Sequence, residues 1–166
     1  MKNLILLVGM FQLFICCEVK YTEKKINDIP PKTFPKQIGL INDYEGVFTK
    51  DQNAALKKIL YDLKLNENKE IIIIAVESFA PYNDFQDYIV DLGNNWRIGV
   101  ENKNTIIIAF SKKNRKVALS IAENTENLSE EKSMEIMSEI IIPEFKEGRY
   151  FEGINRGVLS FETLWH

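Results

Sequence analysis

The chain has almost no cysteine or histidine. Its two cysteines are neighbours, Cys16 and Cys17, and its one histidine, His166, is the last residue. Adjacent cysteines bridge only with strain, so no structural disulfide is expected in the mature chain. A single histidine at a terminus, where chains are ordinarily loose, excludes Ser-His-Asp and Cys-His catalysis, and with it a zinc cage of cysteine and histidine. Glycine is sparse, eight residues in 166, and nowhere forms a loop that cradles phosphate. Positive charge is not in excess: 21 Lys and Arg face 24 Asp and Glu, a net charge of −3 that becomes −4 once Lys2 is set aside. That balance argues against a nucleic-acid partner. No internal repeat and no EF-hand spacing is present. Any chemistry must use oxygens, lysines and arginines.

What is there begins with "MKNLILLVGMFQLFICCEVK". The apolar run Leu4–Ile15 is shorter than the roughly 20 residues a permanent span needs, and the lysine before it completes the pattern of a secretory signal. Two cysteines close the run, and no alanine-type cleavage site follows. The reading is a bacterial lipoprotein signal over residues 1–16, with Cys17 as the lipidated residue and Cys16 as the alternative. An ordinary cleaved signal with incidental cysteines is the competing account. A polar stretch with Pro30, Pro31 and Pro35 then reads as a flexible tether over residues 17–36. Residues 37–166 are long enough for one domain with a sizeable core.

Within that domain the periodicities alternate. Thr49 and Gln52 have capping-box spacing, and Leu56, Ile59, Leu60 and Leu63 follow on one helical face. "EIIIIAVE" (70–77) and "TIIIAF" (105–110) are continuous β-branched runs, as in strands covered on both sides. Phe85, Tyr88, Ile89, Leu92 and Trp96 mark a second helix. "RKVALSI" (115–121) alternates behind the turn "SKKN", which predicts an antiparallel hairpin. Ser129 with Glu130 and Glu131 opens a third helix, with Met134, Met137, Ile140 and Ile141 on its core face and Pro143 kinking it or starting a new turn. A last helix over 151–164 turns Ile154, Val158, Phe161 and Leu164 inward. Gly148, Gly153 and Gly157 read as close packing or a cap. The fold class is α/β, a three-layer α/β/α sandwich around a central mixed sheet.

Three loops are rich in oxygen: "NDYE" (42–45), "GVENKN" (99–104) and "ENTENLSEE" (123–131). They offer Asn42, Asp43, Glu45, Glu101, Asn102, Asn104, Glu123, Asn124, Glu126, Asn127, Ser129 and Glu130, the donor types a hard cation such as calcium takes. Clustered carboxylates also repel unless something neutralises them. Each loop has a plainer reading too: an Asx turn at Asn42-Asp43, a hairpin-like loop at Asn102–Asn104, a helix cap at Ser129–Glu131. The basic run Lys112, Lys113, Arg115, Lys116 reads most simply as a solvated turn, with a phosphate-binding role as the weaker reading.

The order "INDYEGVFT", "IIIIAVE", "NNWRIG", "KNTIIIAFSKKNRKVALSI", "IIPEF" and "EGRYFEG" resembles the TPM domain family, over about residues 38–164. The family includes bacterial membrane-anchored and plant thylakoid-lumen proteins. The resemblance implies an α/β sandwich and a divalent-cation site, typically calcium, in acidic loops at one end of the sheet. Some plant members are described as acid phosphatases. Carried over, the family's Asn-Asp falls on Asn42-Asp43, and its Trp-x-Ile-Gly on Trp96-Arg97-Ile98-Gly99. Its Asn-Gly falls on Asn104-Thr105, the glutamate of its Gly-x-Gly-x-Glu loop on Glu126, and its Leu-Thr-Asp on Leu128-Ser129-Glu130. The implied metal ligands are therefore Asn42, Asp43, Glu126, Ser129 and Glu130. Ala122 and Asn124 stand for family glycines, Glu130 for an aspartate and Arg149 for a common acid, and these departures weaken the implied site.

Three functions follow as expectations. The first is a non-enzymatic, calcium-binding or protein-interaction module of the cell envelope. It would be lipid-anchored on the periplasmic or outer side of a bacterial membrane and act on an unidentified membrane or envelope protein. The second is a metal-assisted acid phosphatase, with Asp43 or Glu126 as general base. The third is a metal-free structural or protein-binding domain.

Overall fold

Three parallel strands and one antiparallel strand form the sheet. The computed structural model describes residues 33–123 and 125–165. The expected signal with Cys16 and Cys17, the expected tether as far as residue 32, Asn124 and His166 lie outside the described residues. The strands are β1 (Ile41–Asp43), β2 (Glu70–Ala75), β3 (Thr105–Ser111) and β4 (Lys116–Ile121), in the spatial order β1-β2-β3-β4. β1, β2 and β3 are parallel, and β4 returns antiparallel to β3 through the hairpin turn. Every residue of β2 and β3 is buried, as their unbroken β-branched runs require. The mixed α/β sheet agrees with the sequence expectation. β1 is a strand that the sequence reading did not contain.

The register fixes which strand residues share a face. Ile107 lies on the face covered by α2 (Phe85–Asn95), where a Cβ on Gly93 would come within 2.9 Å of the Ile107 Cδ1. Phe110 lies on the opposite face, with its ring 4.9 Å from Phe145, 5.7 Å from Tyr150 and 6.0 Å from Phe48. That second face is covered by α1 (Lys50–Glu67) and by the C-terminal helices, α1 touching both β2 and the last helix, α5 (Tyr150–Leu164). Thr49 begins α1 with a full capping box: the Gln52 N–H donates to the Thr49 hydroxyl, and the Thr49 N–H to the Gln52 side chain.

Beyond β4 the chain forms α3 (Glu130–Ile136), one π-helical segment (Met137–Ile141), α4 (Ile142–Lys146) and α5 (Tyr150–Leu164). The single helix expected from Ser129 is thus interrupted. Proline 143 has no N–H for an intrahelical bond, and the wider π turn ahead of it ends where α4 starts with that proline in its first turn. Met134, expected in the core, is 53% exposed, while Ile136, Met137 and Ile141 are buried. Gly157 of α5 lets that segment come close, since a Cβ there would lie 2.5 Å from the Ile141 Cδ1.

The expected tether ends earlier than residue 36. The Phe34 ring lies 5.7 Å from that of Tyr88. The Pro35 carbonyl accepts from Trp96 Nε1 at 2.9 Å, and the Lys36 carbonyl accepts from the Tyr44 hydroxyl at 2.6 Å.

Candidate functional site

At the carboxyl ends of the parallel strands, the loops leaving β1 and β2 part to opposite faces, toward α1 and α2. In open α/β sheets this is where ligands gather. Here the side chains chiefly hold backbone. Asp43 Oδ1 accepts from the Val47 N–H at 3.0 Å and Oδ2 from the Phe48 N–H at 2.9 Å. Glu45 reaches across to the hairpin turn, accepting from the N–H groups of Lys112 at 2.8 Å and Lys113 at 2.7 Å. The Lys113 ammonium pairs with Glu77 at 2.7 Å, and the Asn114 amide donates to the Glu77 carbonyl at 2.8 Å. The hydrogen bond from Lys113, and then its charge, hold the Glu77 carboxyl below the usual carboxylate range. Asn42 is fully buried one residue earlier. Its Oδ1 accepts from the N–H groups of Ile38 and Gly39, and its Nδ2 donates to the Gly39 carbonyl.

The other two oxygen-rich loops meet at the opposite end, where β3 begins. Asn104 Oδ1 accepts from the Glu126 N–H at 3.1 Å, and the Thr125 hydroxyl donates to the carbonyls of Lys103 and Thr105 at 3.1 and 3.2 Å. Trp165, 2% exposed, donates from Nε1 to the Glu126 carbonyl at 2.9 Å and ties the end of α5 to this loop. Asn102 Oδ1 accepts from the Asn104 N–H. Glu70 beneath them is paired with Lys64 and accepts from the Thr105 hydroxyl. Between the loops lies a shallow cavity lined by Asn68, Glu101, Asn102, Lys103, Asn104 and Glu126. Ser129 caps α3, its hydroxyl accepting from the Lys132 N–H at 3.4 Å, and Glu130 is an exposed residue of the first turn.

The five implied calcium ligands therefore do not form one site. Asp43 pairs in register with Ala75 and through it with Phe110, at the end of β3. Glu126 is bonded to Asn104, just before its start. Six residues of strand separate the two levels, about 20 Å at ~3.3 Å each. Asn42 and Asp43 also have their oxygens occupied by backbone donors, and Ser129 its hydroxyl. Among the described residues, no three carboxylates, histidines or cysteines gather as a metal set. The helix-cap reading describes Ser129 as it stands, whereas Asp43 accepts from N–H groups four and five residues on, a wider closure than the expected Asx turn.

Two departures from the family pattern also find their places. Ala122 is not left-handed: its N–H donates to the Thr105 carbonyl, continuing the strand pairing. It packs against Gly99, whose φ is +80° and whose Cβ, if present, would lie 2.8 Å from that of Ala122. Arg149 precedes α5 and pairs with Glu144 at 2.5 Å. The sequence reading did not isolate Glu45 as the residue that fastens the hairpin, because its partners are backbone groups 67 and 68 residues away.

Solved structures share this architecture. The N-terminal domain of a protein from P. gingivalis superposes with a TM-score of 0.66 at 23% identity, covering 76% of this chain and 85% of that one. The N-terminal domain of the cg2496 protein from Corynebacterium glutamicum gives 0.62 at 12%, covering 81% and 85%. The BA42 protein from Bizionia argentinensis gives 0.59 at 16%, covering 75% and 89%. At these identities the likeness is one of fold. Among curated proteins none matches. The family model of the TPM domain matches residues 41–164, from β1 to the end of α5. With three quarters of its length matched to that model, the chain belongs to the TPM domain family.

Proposed function

We propose that this TPM domain is a lipid-tethered binding module of a bacterial cell envelope, acting on a membrane or envelope protein and not as an enzyme. The observation that carries the reading is the use made of the first loop's carboxylates. Both oxygens of Asp43 and both of Glu45 accept from backbone N–H groups, so these side chains build the surface at the strand ends. An Asp43 engaged in this way is a poor general base, which weighs against a phosphatase that relies on it. The tether rests on Cys17 at the end of the apolar run. Among the described residues no helix is long and apolar enough to cross a membrane.

The test is made in a bacterial host that lipidates its envelope proteins. The full chain should incorporate a fatty-acid analogue, and Cys17→Ser should not. Phosphate release from a generic aryl phosphate should be the same for the wild-type chain and for Asp43→Asn. Aryl phosphate turnover that disappears in Asp43→Asn would replace this reading with the phosphatase.

Calcium is the second reading, in a narrower form. It is favoured by the meeting of the 99–104 and 125–130 loops, where the carboxylates of Glu101 and Glu126 border one cavity; Lys103 also lines it, and the Asn102 and Asn104 amide oxygens already accept from backbone N–H groups. Asn42 and Asp43 take no part in it. A calcium titration followed by amide shifts should move residues 101–104 and 125–127 and leave 42–48 still. Shifts confined to 42–48, or none at millimolar calcium, would remove it.

A further inference from the structure

The described residues contain a cavity whose positive charge is not balanced. It lies at the carboxyl end of β3, between the hairpin turn and the α4–α5 corner, with a volume of about 550 Å³. That is the size of a small-molecule site. Arg115, Lys116 and Lys146 line it, and the Lys112 ammonium stands 5.7 Å from the centre of the Tyr150 ring on its wall. Val117, Ile142 and the rings of Phe145 and Tyr150, 4.8 Å apart, supply an apolar floor.

The carboxylates on the facing loops and on α4 are engaged elsewhere, and the exposed Glu152 of α5 acts on Arg149. Glu45 takes the backbone N–H groups of Lys112 and Lys113, and Glu77 takes the Lys113 ammonium. Glu144 pairs with both Arg149 and Arg156, and Glu147 lies 4.0 Å from Arg149. No described carboxylate forms an ion pair with Lys112, Arg115, Lys116 or Lys146. Four cations are thus gathered on a chain whose net charge is −3, and like charges repel unless an anion joins them. A second observation comes from the turn. Arg115 has φ +53°, a left-handed conformation that glycine or asparagine adopts far more readily. The left-handed turn sets the Arg115 guanidinium on the cavity wall, and that fork suits phosphate.

We propose that this cavity binds the phosphate ester group of a ligand whose neighbouring aromatic or acyl part rests on Phe145 and Tyr150. Its lining holds no carboxylate and no imidazole, so the ester is held without being cleaved. The ligand is either an anionic phospholipid headgroup or a soluble phosphate ester.

Lysine acylation of the full chain, read by mass spectrometry, tests this and separates the two sources. The chain is placed in neutral phosphatidylcholine vesicles, in vesicles that also carry phosphatidylglycerol, and in neutral vesicles with added phenyl phosphate. Protection of Lys116 and Lys146 by severalfold, with Lys57 unaffected, is expected in one of the last two conditions. Protection by phosphatidylglycerol alone assigns the lipid source, and protection by phenyl phosphate the soluble one. Arg115→Asn, which suits the turn, should reduce the protection at least fivefold. Lys146→Gln should reduce it at Lys116. The proposal is overturned if neither condition protects these lysines, if Lys57 is protected equally, or if both variants behave as wild type. Phenyl phosphate hydrolysis that is lost in Arg115→Asn would overturn its non-cleaving part.

Discussion

Asn42 distinguishes a residue that builds the fold from one that holds a ligand. Its amide makes three good hydrogen bonds: from Ile38 N–H at 2.8 Å, from Gly39 N–H at 3.2 Å, and to the Gly39 carbonyl at 2.8 Å. A fourth contact, to the Ile73 carbonyl at 3.4 Å, is long enough to leave out. At a net value of about 1 kcal/mol per bond, Asn42→Ala should cost about 3 kcal/mol. For a domain of this size that lowers the melting temperature by about 10 °C. Asn42→Asp keeps the shape but loses both N–H donors and turns a carboxylate toward the carbonyls of Gly39 and Ile73. It should be at least as damaging near neutral pH. Burial raises the pKa of such a carboxyl, so the unfolded chain loses its proton first as pH rises. The damage should therefore shrink on acidification, when the protonated group can donate. Urea unfolding of the full chain in neutral micelles, followed by tryptophan fluorescence, measures all three proteins with and without calcium. A loss below ~1 kcal/mol for Asn42→Ala, or one that appears only when calcium is present, would refute the structural role.

Gly157→Ala should destabilise the chain by about 1–3 kcal/mol through overpacking, because its methyl would meet Ile141 at 2.5 Å. An unchanged urea midpoint would show that the π segment moves aside freely. Trp165→Phe keeps most of the buried ring area but removes the bond to the Glu126 carbonyl, a loss of about 1 kcal/mol. Amide exchange should quicken across residues 125–128, and unchanged exchange there would detach that loop from α5. Tyr88 is pushed up to about 12, mainly by burial. An unfolded chain releases that proton near its ordinary value of about 10, so Tyr88 favours folding below that pH and the contribution is lost as pH climbs toward 12. Absorbance of tyrosinate should show a late-titrating group that Tyr88→Phe removes. Glu77 and Glu144 are held low by Lys113 and by Arg149. Their contribution is complete above the ordinary carboxylate value and fades as pH falls through the folded one. High salt should weaken chiefly the exposed Glu77–Lys113 part, since the Glu144 side chain is largely covered; an acid transition indifferent to salt would refute this.

The parts of the fold that could be read from sequence are those with a strong period. The unbroken runs at 70–77 and 105–110 became two buried strands, and the capping box at Thr49 set the start of α1. The long helix after Ser129 was only partly readable. Helical spacing carries Met134 and Met137 to one side of the helix. In α3 the turns are regular, but the buried face runs through Ser133, Ile136 and Met137, and Met134 at its edge faces solvent; a π turn then follows ahead of Pro143. No local pattern announces such a turn, because its cause is the missing N–H at Pro143 together with the close approach of Gly157 from α5.

The candidate site failed for a different reason, and the cause is three residues long. β1 spans only Ile41–Asp43, too short to show alternation, and its polar half, Asn42-Asp43, resembles a loop. Had those residues been read as a strand, topology would have separated the proposed ligands without any coordinates. In parallel strands joined by helices, a loop that follows one strand and a loop that precedes another lie at opposite ends of the sheet. Residues 44–48 follow β1, and residues 99–104 precede β3. The 123–131 loop follows β4, and β4 is antiparallel, so that loop falls at the end where β3 begins. The family order of motifs is therefore compatible with two loop clusters, one at each end, and carboxylate counting cannot merge them. Distance along the chain likewise explains why phosphate binding at the basic turn was only the weaker reading of the sequence. Arg115 and Lys116 lie 30 residues from Lys146, and only the packing of α4 against Phe110 brings them to one wall.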